Sequence, residues 1–147
     1  MSDVPVVTDF NLCLAAETEQ LRLDPDCVQA GVCALLKDSS KGTYFLAVDS
    51  EAVVGQAMIT YEWSDWRNGN IWWLQSVYVR PEFRKKGVFR LLFRHIRELA
   101  RCQPGVWGLR LYMHSGNDRA RAAYASLGMA CTHYQVFELD LSNGGPT

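Results

Sequence analysis

The chain holds 147 residues, 48% of them hydrophobic and 21% charged, with a formal net charge of −1. That length suits one domain and leaves little room for a second, and the apolar content is enough to bury roughly two-thirds of the unfolded surface without disulfide staples. No apolar run approaches the ~20 residues that span a bilayer, and the opening Met1-Ser2-Asp3-Val4-Pro5 lacks the basic-then-apolar order of a signal peptide, so a cytoplasmic protein away from membranes is expected.

Asp3 can cap a helix over about 4–19, in which Val6, Val7, Phe10, Leu14 and Ala15 recur at helical spacing. A second helix opens at Asp24-Pro25, carries Val28, Val32, Leu35 and Leu36 on one side, and stops near Asp38. Three runs rich in β-branched and aromatic residues follow, over 43–48, 53–63 and 71–79, and the short polar turns between them predict an antiparallel meander. A helix over about 88–102 carries Val88, Leu91, Leu92, Ile96 and Leu99 as its apolar stripe. A strand over 109–113, a helix over 118–127 stopped by Gly128, and a strand over 132–139 complete the order ααβββαβαβ. This predicts an α+β or mixed α/β domain in three layers, with a mixed, mostly antiparallel central sheet and helices on both faces. Residues 1–141 read as one domain and 142–147 as a flexible tail.

The five cysteines, at 13, 27, 33, 102 and 131, include no pair with the close spacing of a zinc knuckle or a redox dithiol, so buried free thiols and no metal are expected. Charge is divided along the chain. Residues 1–79 hold four basic and eleven acidic side chains, whereas residues 80–147 hold eleven basic and five acidic. Arg90, Arg94, Arg97 and Arg101 form one helical stripe, the pattern of a solvated face. A nucleic-acid binder would rest on this basic segment alone, and the near-neutral total argues against it.

Two segments carry chemistry. The strand Gln75-Ser76-Val77-Tyr78-Val79 runs through Arg80-Pro81-Glu82-Phe83 into Arg84-Lys85-Lys86-Gly87-Val88-Phe89, where a helix begins. A glycine there lets N–H groups converge, and the helix start adds further N–H groups and partial positive charge, as an anion site requires. An ordinary strand-to-helix turn is the alternative. In the second segment, Asn117 and Tyr124 stand seven residues apart, two helical turns, and so face one direction within N-x-x-A-x-x-x-Y-x-x-x-G-[FM]. Packing is the alternative role for such a tyrosine.

Together, the near match of Arg84, Gly87 and Phe89 to R-x-x-G-x-[GA], the Asn117-to-Met129 segment and the element order resemble the GNAT superfamily of acetyl-CoA-dependent N-acetyltransferases, over most of the chain. The resemblance implies that the backbone of Val77 and Val79 pairs with the pantetheine arm, and that the N–H groups of Arg84, Lys85, Lys86, Gly87, Val88 and Phe89 hold the pyrophosphate. It further implies that Asn117 lines the pantetheine channel and that Tyr124 sits at the thioester sulfur as general acid, with the Val77 N–H as oxyanion donor. Three positions depart from the family pattern. Phe89 stands where Gly or Ala is usual, and Trp73 stands where many members carry a Glu base. Only Met1 and Ser2 precede Asp3, so the first edge strand of the family is expected to be missing.

The implied activity is transfer of an acetyl group from acetyl-CoA to a primary amine of a small molecule or peptide, by direct attack in a ternary complex; the alternative is a catalytically silent acyl-CoA-binding or sensor module. Glu62 and Asp65 are the candidate bases, or else surface charges. With Glu17 and the indoles near the hairpin, Trp73 among them, these carboxylates suit a cationic amine. The hairpin tryptophans fit a core or a subunit interface equally well, and a homodimer is a further expectation.

Overall fold

In the computed structural model, residues 2–139 and 141 are described, so the expected tail lies outside the described residues. The elements are α1 (Val4–Thr18), α2 (Pro25–Lys37), β1 (Thr43–Asp49), β2 (Ala52–Ser64), β3 (Gly69–Val79), a short 3-10 turn (Pro81–Phe83), α3 (Val88–Cys102), β4 (Val106–Arg110) and α4 (Asp118–Ser126). No strand precedes α1 among the described residues. The chain divides after Tyr112 into two compact units.

In the first unit the sheet order is β1-β2-β3-β4, with the first two pairings antiparallel and β3–β4 parallel. This is the expected mixed, mostly antiparallel sheet. Successive side chains of a strand point to opposite faces, and β1 shows what covers each. The Tyr44 hydroxyl accepts from Asn11 Nδ2 of α1 at 3.0 Å, while the ring of its neighbour Phe45 meets the edge of His95 on α3, with centroids 5.8 Å apart. Helices α1 and α2 therefore cover one face and α3 the other. Val7 of α1 and Ile96 of α3 are wholly buried. Asp24 caps α2, accepting from the Asp26 N–H at 3.0 Å. Asp3 stands at the N-cap of α1 with helical backbone angles, and its side chain makes no capping bond.

Three expectations are corrected. Strand β4 occupies Val106–Arg110 rather than 109–113, because pairing starts directly after the Gly105 turn, where the Asn70 N–H donates to the Gly105 carbonyl at 2.7 Å. Residues 132–139 form no strand among the described residues and are exposed throughout; β-propensity describes fit to a half-buried pleated surface and does not itself supply a neighbour to pair with. The five cysteines are free thiols, but none is buried, and Cys27, Cys102 and Cys131 are exposed. Among the described residues no helix is long and apolar enough to cross a membrane.

One buried polar chain links α1 to β3. Gln56 of β2 has no exposed surface; its Nε2 donates to Asn11 Oδ1 at 2.8 Å and to the Ser76 carbonyl at 3.2 Å. Replacing it with leucine leaves both acceptors without that donor, at a cost of about 1–3 kcal/mol. Gln56→Leu should lower the urea midpoint accordingly while the protein still folds; an unchanged midpoint would mean that the chain of bonds contributes nothing.

Candidate active site

The site begins at an irregularity in β3. Gln56 faces Tyr78 and Met58 faces Gln75, so Ser76 and Val77 together oppose the single residue Ala57. This is a β-bulge, in which one strand carries an extra residue and bends. Ser76 takes the left-handed conformation (φ +47°), and its carbonyl is the one held by Gln56. On the far side of β3 the parallel partner ends early. β4 pairs with residues 70–73 of β3, and among the described residues no strand pairs with the remainder of that edge.

Alternation along β3 fixes which groups face this edge. The Arg80 N–H donates to the Val54 carbonyl at 2.9 Å and Tyr78 lies opposite Gln56, so both face β2. The intervening Val79 directs its N–H the other way, and the Val77 N–H, on the far side of the planar trans peptide from the Ser76 carbonyl that Gln56 holds, points away from Gln56. The Val79 carbonyl accepts from Arg84 Nε at 2.8 Å.

Downstream, the loop turns twice through the left-handed region, at Lys85 (φ +62°) and Gly87 (φ +85°). Such backbone reversals make N–H groups converge into a concave anion cradle. Gly87 caps α3, its carbonyl accepting from the Leu91 N–H at 3.0 Å, so the first turn of α3 directs its N–H groups and the positive end of its dipole back into the loop. A Cβ built at Gly87 would meet nothing within 4 Å. The need for glycine there is therefore conformational. Lys85 and Lys86 are exposed, whereas the Phe89 ring lies against Phe93 of the same helix, with centroids 6.1 Å apart.

The Arg84 side chain is turned inward as a staple. Besides holding Val79, it donates to Glu17 Oε2 of α1 at 2.6 Å, with its guanidinium carbon 5.5 Å from the centre of the Tyr78 ring. The Tyr78 hydroxyl donates to Glu17 Oε1 at 3.3 Å, and burial, with Cys13 and Glu17 beside it, pushes the Tyr78 phenol up to about 12. Glu17 thus supports the loop.

Glu62 and Trp73 come together near the hairpin end of the sheet. The Trp73 indole N–H donates to Glu62 Oε2, and Arg110 Nη1 of β4 donates to both Glu62 oxygens, at 3.0 and 3.2 Å. The Tyr112 ring lies 6.0 Å from that of Trp73. Asp65 is exposed in the turn, where it accepts from the Trp66 N–H at 2.9 Å. In the second unit, Asn117 caps α4 by accepting from the Ala120 N–H at 3.0 Å. Tyr124 lies two turns further on, half-buried, and that burial raises its phenol above the ordinary tyrosine value.

Gln56 and Arg110 are the residues that sequence reasoning missed. A glutamine inside an apolar strand and an arginine inside a short strand were the available signals, but only the strand pairing shows what each one holds.

A strand bulged beside a shortened parallel neighbour here runs into a glycine-capped helix, and the chain belongs to the GNAT acetyltransferase family, whose model matches residues 11–129. It is similar to a possible acetyltransferase from Clostridium difficile 630, with 44% identity and a TM-score of 0.92 over 97% of this chain and 94% of that one. It also shares 34% identity over 76 residues with a thialysine N-epsilon-acetyltransferase of Bos taurus, a stretch covering 52% of this chain and 44% of that protein. The chain thus spans about half the length of the curated relatives it matches. A protein described as a predicted acetyltransferase with acetyl-CoA, from Clostridium acetobutylicum, shares the fold, with a TM-score of 0.76 at 14% identity over 96% of this chain and 92% of that one.

Arg84 ties the loop to α1 and β3 through partly exposed contacts, so Arg84→Met should cost about 1 kcal/mol. Amide exchange should accelerate over residues 80–88; protection equal to wild type there would show that the loop does not depend on the staple.

Proposed function

We propose that this chain is an N-acetyltransferase that moves the acetyl group of acetyl-CoA to a primary amine of a small molecule or peptide, by direct attack in a ternary complex. The observation that carries the reading is the continuity of an open, bulged β3 edge with the cradle closed by Gly87. The residues suit the donor: convergent N–H groups and exposed Lys85 and Lys86 match a pyrophosphate, and an unpaired strand edge matches an amide-bearing arm. Acetyl-CoA supplies a thioester carbonyl that an amine can attack.

In this reading, the backbone N–H groups from Arg84 to Phe89 hold the phosphates, and Val77 and Val79 pair with the arm. Asn117 lines the channel that the arm occupies. The Val77 N–H also donates to the carbonyl oxygen as negative charge develops there. A C–N bond forms as the thioester C–S bond breaks; Tyr124 gives its proton to the sulfur, and the nitrogen loses one to water. Glu62 acts on the acceptor as a binding carboxylate rather than a base, since both its oxygens already accept hydrogen bonds from Arg110. Relatives named for acetylation of thialysine support a small amine as acceptor.

Gly87→Asp adds a side chain at a left-handed position and a negative charge beside the phosphates. Calorimetry should show acetyl-CoA affinity falling at least tenfold in a folded variant; retained affinity would remove the cradle from the binding site.

Tyr124→Phe deletes only the hydroxyl and should lower kcat about 100-fold with acetyl-CoA affinity nearly intact. Because burial raises the phenol, wild-type kcat should keep rising from pH 7 to 9 as the amine deprotonates, and fall only above the ordinary tyrosine pKa of about 10. The variant should lose that falling limb. Equal losses in binding and turnover would make Tyr124 a packing residue.

A further inference from the structure

We propose that Glu62 and Arg110 form a clamp for the α-ammonium and α-carboxylate of an amino acid whose side chain bears the amine to be acetylated. The inference rests on the acetyltransferase reading above and specifies its acceptor. Arg110 spends only Nη1 on Glu62; its Nε and Nη2 donors have no hydrogen-bond partner among the described residues. Those donors form a planar fork suited to a carboxylate. The two side chains are 34% and 38% exposed, accessible yet partly withdrawn from water, where charge recognition is stronger.

The environment of the pair favours this ligand. The Trp73 N–H fixes one Glu62 oxygen, which sets the Trp73 ring beside the pair, and the Tyr112 ring lies against that of Trp73. A cation and an anion held 3.0 Å apart match a molecule whose own anion and cation are one carbon apart. A diamine offers the fork nothing.

Distance selects which amine reacts. Trp73, which pairs with Arg110, lies four residues before Val77, at most about 13 Å along the strand. An α-amine held by Glu62 stays near the clamp. A lysine-like side chain carries its terminal amine away from the clamp, toward the Val77 N–H.

The test measures kcat/KM for lysine and for cadaverine, its decarboxylated counterpart, in wild type, Arg110→Gln and Arg110→Lys, with binding of lysine followed by calorimetry. Wild type should prefer lysine at least tenfold. Arg110→Gln should reduce that ratio at least tenfold, chiefly through the KM for lysine, and Arg110→Lys should restore part of it. Lysine methyl ester and Nα-acetyl-lysine probe each charge without any mutation, and each should react at least tenfold less efficiently than lysine. If cadaverine and the blocked lysines react as well as lysine, the clamp is overturned and the acetyltransferase reading stands. If no amine is acetylated but lysine binds to wild type and not to Arg110→Gln, the clamp stands and that reading fails; if lysine neither reacts nor binds, both fail.

Discussion

A parallel pair that stops short governs the first unit. β3 runs to Val79, but β4 leaves it after Trp73, so half of a central strand lacks a neighbour on one side. Backbone groups left this way have to find other partners or face solvent. Part of the demand is met by Arg84, which reaches back to the Val79 carbonyl. The bulge at Ser76 and Val77 turns the strand at this point, and Gln56 holds it from the opposite side by a bond to the Ser76 carbonyl. The loop that follows is aimed by the same device, because Arg80 is still hydrogen-bonded to Val54 as the chain leaves the sheet.

The charge asymmetry along the chain acquires a structural meaning from two ion pairs. Glu17 with Arg84, and Glu62 with Arg110, each join a carboxylate from the acidic first half to a guanidinium from the basic second half. Both pairs are partly exposed, so neither is a strong source of stability. What they do is assign positions: one fixes the start of the loop before α3, and the other fixes a carboxylate between two strands and an indole. The basic run also separates by role, with Arg84 turned inward, Lys85 and Lys86 exposed at the cradle, and Arg90, Arg94 and Arg101 on the exposed side of α3.

Periodicity made most of the fold legible. The bounds of helix α3 were readable because Val88, Leu92 and Ile96 repeat at one face and Gly87 marks its start, although Leu91 and Leu99, expected in the same apolar stripe, are exposed. The meander was readable because its apolar runs are long and its turns polar. The edges of pairing were not readable. β4 begins at Val106 because the Gly105 turn delivers it beside Asn70, a tertiary fact that no local pattern records. The run over 132–139 has strand composition without strand hydrogen bonding, the reverse failure. Among the candidate residues, Gly87 and Tyr124 stood out because they lie in spaced motifs. Gln56 and Arg110 did not, because each matters through a partner on another strand.

Phe89 shows which features of the loop are dispensable and which are not. The family prefers a small residue there, yet the Phe89 ring lies against Phe93 along α3. A side chain that packs on its own helix leaves the N–H groups of the helix start aimed where a smaller residue would leave them, because those groups are oriented by backbone angles alone. The constraint therefore falls on Gly87, whose left-handed angles cap the helix, rather than on the residue two places later. A loop that recognises an anion through its backbone can tolerate bulk wherever the side chain points along the helix. It cannot tolerate the loss of a glycine whose conformation sets the direction of every amide that follows.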